Sequence, residues 1–335
     1  MTALTAAGDP PSQPHIVDVL IAERAPRLSR SWLWPLVRPV LNAALGYSGA
    51  RSLADAVAAR GGYQAMDYAS DLLKVKVQAI GLERVPRQGR FIAVINHPTG
   101  LADGVAVYDA LKPIRPDLVF FANSDAHRVN PRLDEVFIPV EWVEAKRTRE
   151  RTRLTLEQAT AALEAERPIL IFPAGRIARR ARDGVLEDPP WMASAVSLAR
   201  RHRAPILPMH LDGPPSTLFR LLDHVSDELR DITLFHELLN KRGGRFRLVA
   251  GPPIPPQAIG ADTTAFTEAL KRYVERDLAN EACAPFPLDG GRVGDGGVGT
   301  LTKERLEGAE APLRRIRQQP AHTPAQPSLI EGEGS

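Results

Sequence analysis

The chain has 335 residues, 44% hydrophobic and 25% charged, which suits a globular protein with a sizeable core in one large α/β domain or two modest ones. Its 43 basic and 40 acidic residues leave a formal charge of +3, which argues against a general nucleic-acid binder. A single cysteine, Cys283, excludes an intramolecular disulfide and a cysteine-based zinc site and suits a reducing compartment.

The opening MTALTAAGDPPSQPH lacks the basic and apolar regions of a secretory signal, and no stretch of about 18 apolar residues is present to cross a bilayer. A cytoplasmic protein is expected. Ser31–Tyr47, SWLWPLVRPVLNAALGY, sets Trp32, Trp34, Leu36, Val40 and Leu41 beside Arg38, with Arg27 and Arg30 upstream. Tryptophan next to arginine on a short apolar segment suits a helix lying in a membrane interface. A helix packed on the protein's own core, interrupted by Pro35 and Pro39, is the other reading. Ala50–Leu73 has a helical period broken at Gly61 and Gly62, so residues 1–73 are read as a helical region able to associate with a membrane.

From Lys74 the rhythm changes. Lys74–Gly81 alternates as a half-buried strand does, and Arg90–Asn96, RFIAVIN, is a continuous apolar run expected to be a buried strand. A helix over 103–112 follows, then strands over Asp117–Asn123 and Glu135–Trp142, and a polar-faced helix over 148–166. Next come strand Arg167–Gly175, a helix near Pro190–Arg203, strands Ala204–Gly213 and Arg245–Pro255, and a closing helix over 262–280. Apolar strands alternating with helices predict an α/β fold, a mostly buried sheet flanked by helices, over residues 74–283. Residues 284–335 are rich in Gly, Pro and Gln and are read as a disordered tail. Gly294, Gly296 and Gly299 spell a G-x-G-x-x-G there, but no strand precedes it, so it is not read as a dinucleotide site.

Polar motifs fall where strands end. INHPTGLADG (Ile95–Gly104) follows one strand, Asn123–Arg128 a second, FPAGR (Phe172–Arg176) a third, and PMHLDG (Pro208–Gly213) a fourth. Open α/β sheets place ligands at the carboxyl ends of their strands. His97 suits a general base, with Asp103 fixing its tautomer, the logic of a Ser-His-Asp triad with a substrate hydroxyl in place of serine. Asp103, just before Gly104 and an apolar run, is equally placed to be a helix N-cap. Backbone N–H groups near Gly175 or at the helix start are candidate oxyanion donors. Arg176, Arg179, Arg180 and Arg182 could grip an anion or form a solvated loop.

These four blocks, in this order, resemble those of the PlsC-like glycerolipid acyltransferases, most closely the lysophospholipid branch with the hemolysin-like and lyso-ornithine-lipid acyltransferases. The likeness runs from about Gly81 to Arg272. It implies His97 as base and Asp103 as its partner. Asn123, Arg128, Phe172, Pro173, Gly175, Arg176 and Pro208 fall in the remaining blocks as substrate-binding positions. It also implies transfer of an acyl group from acyl-CoA or acyl-carrier protein to a lyso-lipid at the membrane's inner face, with no metal and no further cofactor. Two departures stand out. Five residues separate His97 from Asp103 where the family usually has four, and Gly100 is suited to absorb the extra one. In the third block Ala174 replaces a glutamate and Arg176 a threonine, which bears on recognition of the acceptor.

Two other classes fit some residues. His97, Asp103, Asp125, His127, His210 and Asp212 are candidates for the metal site of a hydrolase, although no H-x-H or H-E-x-x-H pattern is present. A catalytically degenerate lipid-binding module would also explain the altered third block. No G-x-S-x-G supports a serine hydrolase.

Overall fold

The computed structural model describes residues 13–141, 147–180, 186–280 and 286–287. Its centre is a seven-stranded sheet. In chain order the strands are β1 (Lys76–Ile80), β2 (Ile92–Ile95), β3 (Val119–Asn123), β4 (Phe137–Val140), β5 (Ile169–Ile171), β8 (Ile206–Asp212) and β9 (Arg245–Ala250). The two-residue strands β6 (Arg179–Arg180) and β7 (Leu186–Glu187) form a small antiparallel ribbon beside it. The order across the sheet is β1-β9-β8-β2-β5-β3-β4. Strands β8, β2, β5, β3 and β4 run one way, while β9 pairs antiparallel to β8 and β1 follows β9.

β2 shows why the sheet has two covered faces. Phe91, Ala93 and Ile95 enter one core, beneath helix Leu101–Leu111 and the N-terminal helices Tyr47–Ala58 and Gly62–Leu73. Ile92 and Val94 enter the other, beneath helices Arg149–Glu164, Ser194–Arg201 and Thr263–Arg272. Successive side chains of a strand point to opposite faces, so a strand buried on both sides reads as an unbroken apolar run. A fully buried Ile or Val gains about 1.5–3 kcal/mol on leaving water. β2 is therefore firmly anchored, and its carboxyl end is a rigid place for a functional group.

The elements expected from Lys74 to Arg272 are present, with ends shifted by a few residues. The segment 213–244, for which no element was predicted, contains three short helices, Thr217–Asp223, Asp227–Asp231 and Leu234–Leu239. The closing helix is α-helical only over Thr263–Arg272 and continues as a π-helical turn, Tyr273–Asp277. The expected tail lies outside the described residues except for Phe286 and Pro287. Phe286 is buried against Phe266 and Tyr273, with ring centroids 5.1 and 5.4 Å away.

No described helix is long and apolar enough to cross a membrane. Helix Trp34–Ala44 contains no fully buried residue, and Trp32, Leu33, Leu36 and Val40 are exposed, Trp32 by 81%. Pro35 lies in the first turn, where a missing N–H is harmless. Trp34 and Trp32 do not share a surface as expected. Trp34 lines a small apolar cavity with Val17, Ile21, Leu41 and Ile232, so it packs on the fold. Arg38 pairs with Asp18 at 2.7 Å, an acceptor it shares with the Tyr47 hydroxyl.

Candidate active site

Because β2, β3, β5 and β8 run in one direction, the segments leaving them share one edge of the sheet. β2 is followed by a helix on the first face, whereas its neighbour β5 is followed by helix Ser194–Arg201 on the second. Adjacent strands whose connections depart to opposite faces open a crevice at their carboxyl ends. His97, just past β2, and Phe172, just past β5, meet there with rings stacked 4.5 Å apart and 29° from parallel.

His97 Nδ1 lies 2.8 Å from Asp103 Oδ2. The same oxygen accepts the N–H groups of Thr99 at 2.9 Å and Gly100 at 3.0 Å, and Oδ1 accepts the Thr99 hydroxyl. The helix begins at Leu101, two residues earlier than expected, so Asp103 is its third residue and reaches back to the cap position, as half of a capping box does. Asp103 is thus both the cap and the partner of His97. An ionised carboxylate only accepts hydrogen bonds, so it places the imidazole proton on Nδ1 and leaves the lone pair on Nε2. No described residue bonds Nε2.

The loop between them is closed by Gly100, with φ +105° and ψ −140°. That region is essentially restricted to glycine, and a Cβ there would lie 2.8 Å from Ile177 Cδ1. The extra residue between His97 and Asp103 is accommodated in this turn. The surrounding main chain is held from several sides. The Asp188 carboxylate accepts the His97 N–H at 3.1 and 3.2 Å, and the His97 carbonyl accepts the Ala178 N–H at 2.9 Å. The Ser216 hydroxyl donates to the Thr99 carbonyl at 3.0 Å, and the Asn96 side chain pairs with both polar groups of Leu211 at 2.9 and 2.7 Å. Segments after β5 and β8 therefore fix the position of the histidine that follows β2.

Residues 76–212, which contain His97, Asp103, Phe172 and Asp188, match the family model described as Acyltransferase. Over these residues the chain carries an acyltransferase domain. It is similar to the lyso-glycine lipid O-acyltransferase of Phocaeicola vulgatus, 27% identical over 213 residues that cover 61% of this chain and 73% of that protein. The lyso-glycine lipid O-acyltransferase of Bacteroides thetaiotaomicron is 25% identical over 209 residues, covering 61% and 75%. Among solved structures, the 1-acyl-sn-glycerophosphate (LPA) acyltransferase PlsC from Thermotoga maritima aligns with 80% of this chain and 98% of its own, at 15% identity and a TM-score of 0.42.

The other expected site residues of this acyltransferase divide into two groups. Phe172 stacks on His97, the Pro173 carbonyl accepts the Met192 N–H at 3.1 Å, and Gly175, at φ +61°, closes a turn onto the Phe172 carbonyl at 3.0 Å. Arg176 follows that turn with its side chain exposed and no hydrogen-bond or ion-pair partner among the described residues. Asn123 instead accepts the Asp125 N–H at 2.8 Å and shapes the exit of β3. Arg128 has both guanidinium NH groups on Glu23, at 2.8 and 2.9 Å, and a third bond to Asp125, so it ties the N-terminal helix Ile16–Arg24 to the domain. Pro208 is buried inside β8 opposite Val94 and contributes to the sheet. Arg179 pairs with Asp223 at 3.1 Å, while residues 181–185, including Arg182, lie outside the described residues.

The six residues of the hydrolase alternative are not brought to one place. His97 binds Asp103, His210 Nε2 lies 3.1 Å from Asp212, and Asp212 also pairs with Arg247. His210 and Arg247 hold the Asp212 carboxyl below its usual range. Among the described residues no three His, Cys, Asp or Glu side chains are grouped to hold a metal ion.

Sequence reasoning missed Asp188. It is 5% exposed, and besides the His97 N–H it accepts the Trp191 indole N–H at 2.9 Å. Burial pushes its carboxyl up to about 7; the Glu275 charge adds to this, and the Trp191 bond opposes it. Its only local signal is an acidic residue before Pro189, Pro190 and Trp191, which carries no meaning until the fold brings it to His97.

Proposed function

We propose that this acyltransferase moves a fatty acyl group from a thioester donor, acyl-CoA or acyl-carrier protein, to a hydroxyl of a lyso-lipid. The names of the two relatives support a lyso-lipid acceptor and transfer to oxygen. The observation that carries the mechanism is the buried Asp103 on Nδ1 of a histidine whose Nε2 makes no hydrogen bond to a described residue. The acceptor hydroxyl gives its proton to His97 Nε2 as its oxygen attacks the thioester carbonyl. Asp103 stabilises the imidazolium as it forms. The tetrahedral oxyanion is held by main-chain N–H groups near Gly175 or at the start of helix Leu101–Leu111. Collapse breaks the C–S bond, and the leaving thiolate takes the proton back from Nε2. The substrate oxygen itself is the nucleophile, so no acyl-enzyme forms.

The acceptor is recognised through an anionic head group by Arg176, and the reaction takes place at the cytoplasmic face of the cell membrane. Exposed Trp32, Leu36 and Val40 support a peripheral attachment in which apolar side chains enter the interface. Incubating the purified protein with labelled acyl thioester, from CoA and from carrier protein in separate reactions, and a panel of lyso-lipids tests the whole reading. Labelled diacyl product is expected. Hydrolysis of the thioester with no acceptor dependence would overturn it.

A further inference from the structure

We infer that Asp188 is a positioning residue for the reaction, its ionised carboxylate holding the His97 main chain so that Nε2 meets the acceptor hydroxyl. The inference rests on His97 being the base, as proposed above. Four contacts define its place. Both carboxylate oxygens take the His97 N–H, at 3.1 and 3.2 Å, and one also takes the Trp191 indole N–H at 2.9 Å. The main-chain N–H of Asp188 donates to Glu275 at 2.7 Å, and Glu275 is itself bonded to Lys271. The chain runs from the base through Asp188 to the C-terminal helix, and the opposite side of the same turn is closed by Ala178 on the His97 carbonyl.

A buried carboxylate here does two things that a neutral group cannot. It makes a charge-assisted bond to the His97 N–H, about twice as strong as a neutral one. It also leaves a negative charge near His97 as the imidazolium forms. The charged groups facing it are His97 from the β2 loop and Glu275, which is tied to Lys271; the neighbouring Glu187 turns to Arg276 at 3.4 Å. Protonation would turn one acceptor oxygen into a donor aimed among N–H groups, so the support fails as the carboxyl gains its proton. Burial has raised that carboxyl to about 7, so the support is lost on the acid side of neutrality.

Two protons then separate the working enzyme from the idle one on the acid side. In the wild-type protein the logarithm of kcat/KM should fall on the acid side with a limiting slope near two, because the general base and the Asp188 carboxylate both act in their unprotonated forms. Asp188→Asn should reduce the slope to one. It should also lower kcat by roughly ten- to a hundredfold, as expected for losing a charge-assisted hydrogen bond that positions the base, with acceptor KM little changed. Trp191→Phe, which keeps the carboxylate but removes a donor to it, should raise the acid midpoint by about one pH unit. This variant decides the matter where Asp188→Asn does not fold. A wild-type slope of one, or a midpoint unmoved in Trp191→Phe, overturns the inference. His97→Ala tells the two readings apart: turnover surviving in it removes the base assignment, whereas its loss beside an Asp188→Asn enzyme of wild-type profile removes only the role of Asp188.

Discussion

His97 Nδ1 sits 2.8 Å from an oxygen of Asp103 that also accepts the N–H groups of Thr99 and Gly100, so orienting the imidazole and capping the helix are one interaction. Removing the base and removing its support should therefore have different signatures. His97→Ala should lower turnover by about 10²–10⁴-fold, the usual contribution of a general base. It should leave thermal stability almost unchanged. Asp103→Asn replaces one acceptor oxygen by a donor NH₂ group facing other donors. It should lower turnover and also stability, by about 1 kcal/mol or more for the lost cap. Kinetics and thermal melts on the same preparations check this; an Asp103→Asn protein that loses stability but keeps wild-type turnover would leave the aspartate a cap alone.

Asp188 gives the protein a pH-dependent stability of unusual sign. Its carboxyl titrates at about 7 in the folded protein and near 3.9 in the unfolded chain. Between these values the native state holds the proton more tightly, so stability falls as pH rises through the window. The penalty is complete above pH 7 and absent below about pH 4. Three pH units correspond to about 4 kcal/mol as an order of magnitude. Asp188→Asn lacks this proton. Denaturant midpoints of the two proteins at pH 5 and pH 8 should show wild type losing ground to the variant at the higher pH. Parallel behaviour would place the carboxyl in its ordinary range.

The strands were legible because β2, β5 and β8 are buried on both faces and read as apolar runs, and the edge they share is where polar motifs interrupt those runs. What was not legible depends on partners distant in sequence. Arg128 reads as an anion-binding residue until Glu23 is found beside it, and Asp188 reads as a loop carboxylate until His97 is. The three helices between Thr217 and Leu239 are five to seven residues each, too short for a helical period to emerge. Gly100 was legible for a physical reason: an extra residue between two groups that must touch requires a backbone conformation open to glycine.

Trp32 and Trp34, similar in sequence context, should behave in opposite ways. Trp32, Leu36 and Val40 recur at every fourth residue and are exposed, whereas Trp34 is half-buried and lines a small apolar cavity with Val17 and Ile21. Replacing Trp32, Leu36 and Val40 together by serine should release the protein from sedimenting anionic vesicles with its melting temperature intact. Trp34→Ser should instead destabilise it by roughly 2 kcal/mol or more. If the triple variant still sediments with vesicles, the anchor lies elsewhere.

Arg176 carries the remaining expectation, that the altered third block reads the acceptor. It follows the Gly175 turn, one residue beyond the segment stacked on the base, and its guanidinium meets no described partner. Its neighbour Arg179 is held by Asp223, so the two arginines are not equivalent. A guanidinium offers a planar fork for two parallel bonds to a carboxylate or phosphate, and lysine offers only a point charge. Arg176→Lys should therefore weaken acceptor use, and Arg176→Ala should weaken it further. A bond to an anion desolvated at the site contributes about 1.5–3 kcal/mol, so the alanine variant should lose roughly ten- to a hundredfold in kcat/KM for the acceptor. Dependence on the acyl donor should stay close to wild type, because the donor's reacting group is a neutral thioester. Varying each substrate in turn separates the two effects. Asp223→Asn serves as the comparison: it loosens Arg179, and if it reduced acceptor use while Arg176→Ala did not, the head group would be read by Arg179 and not by Arg176.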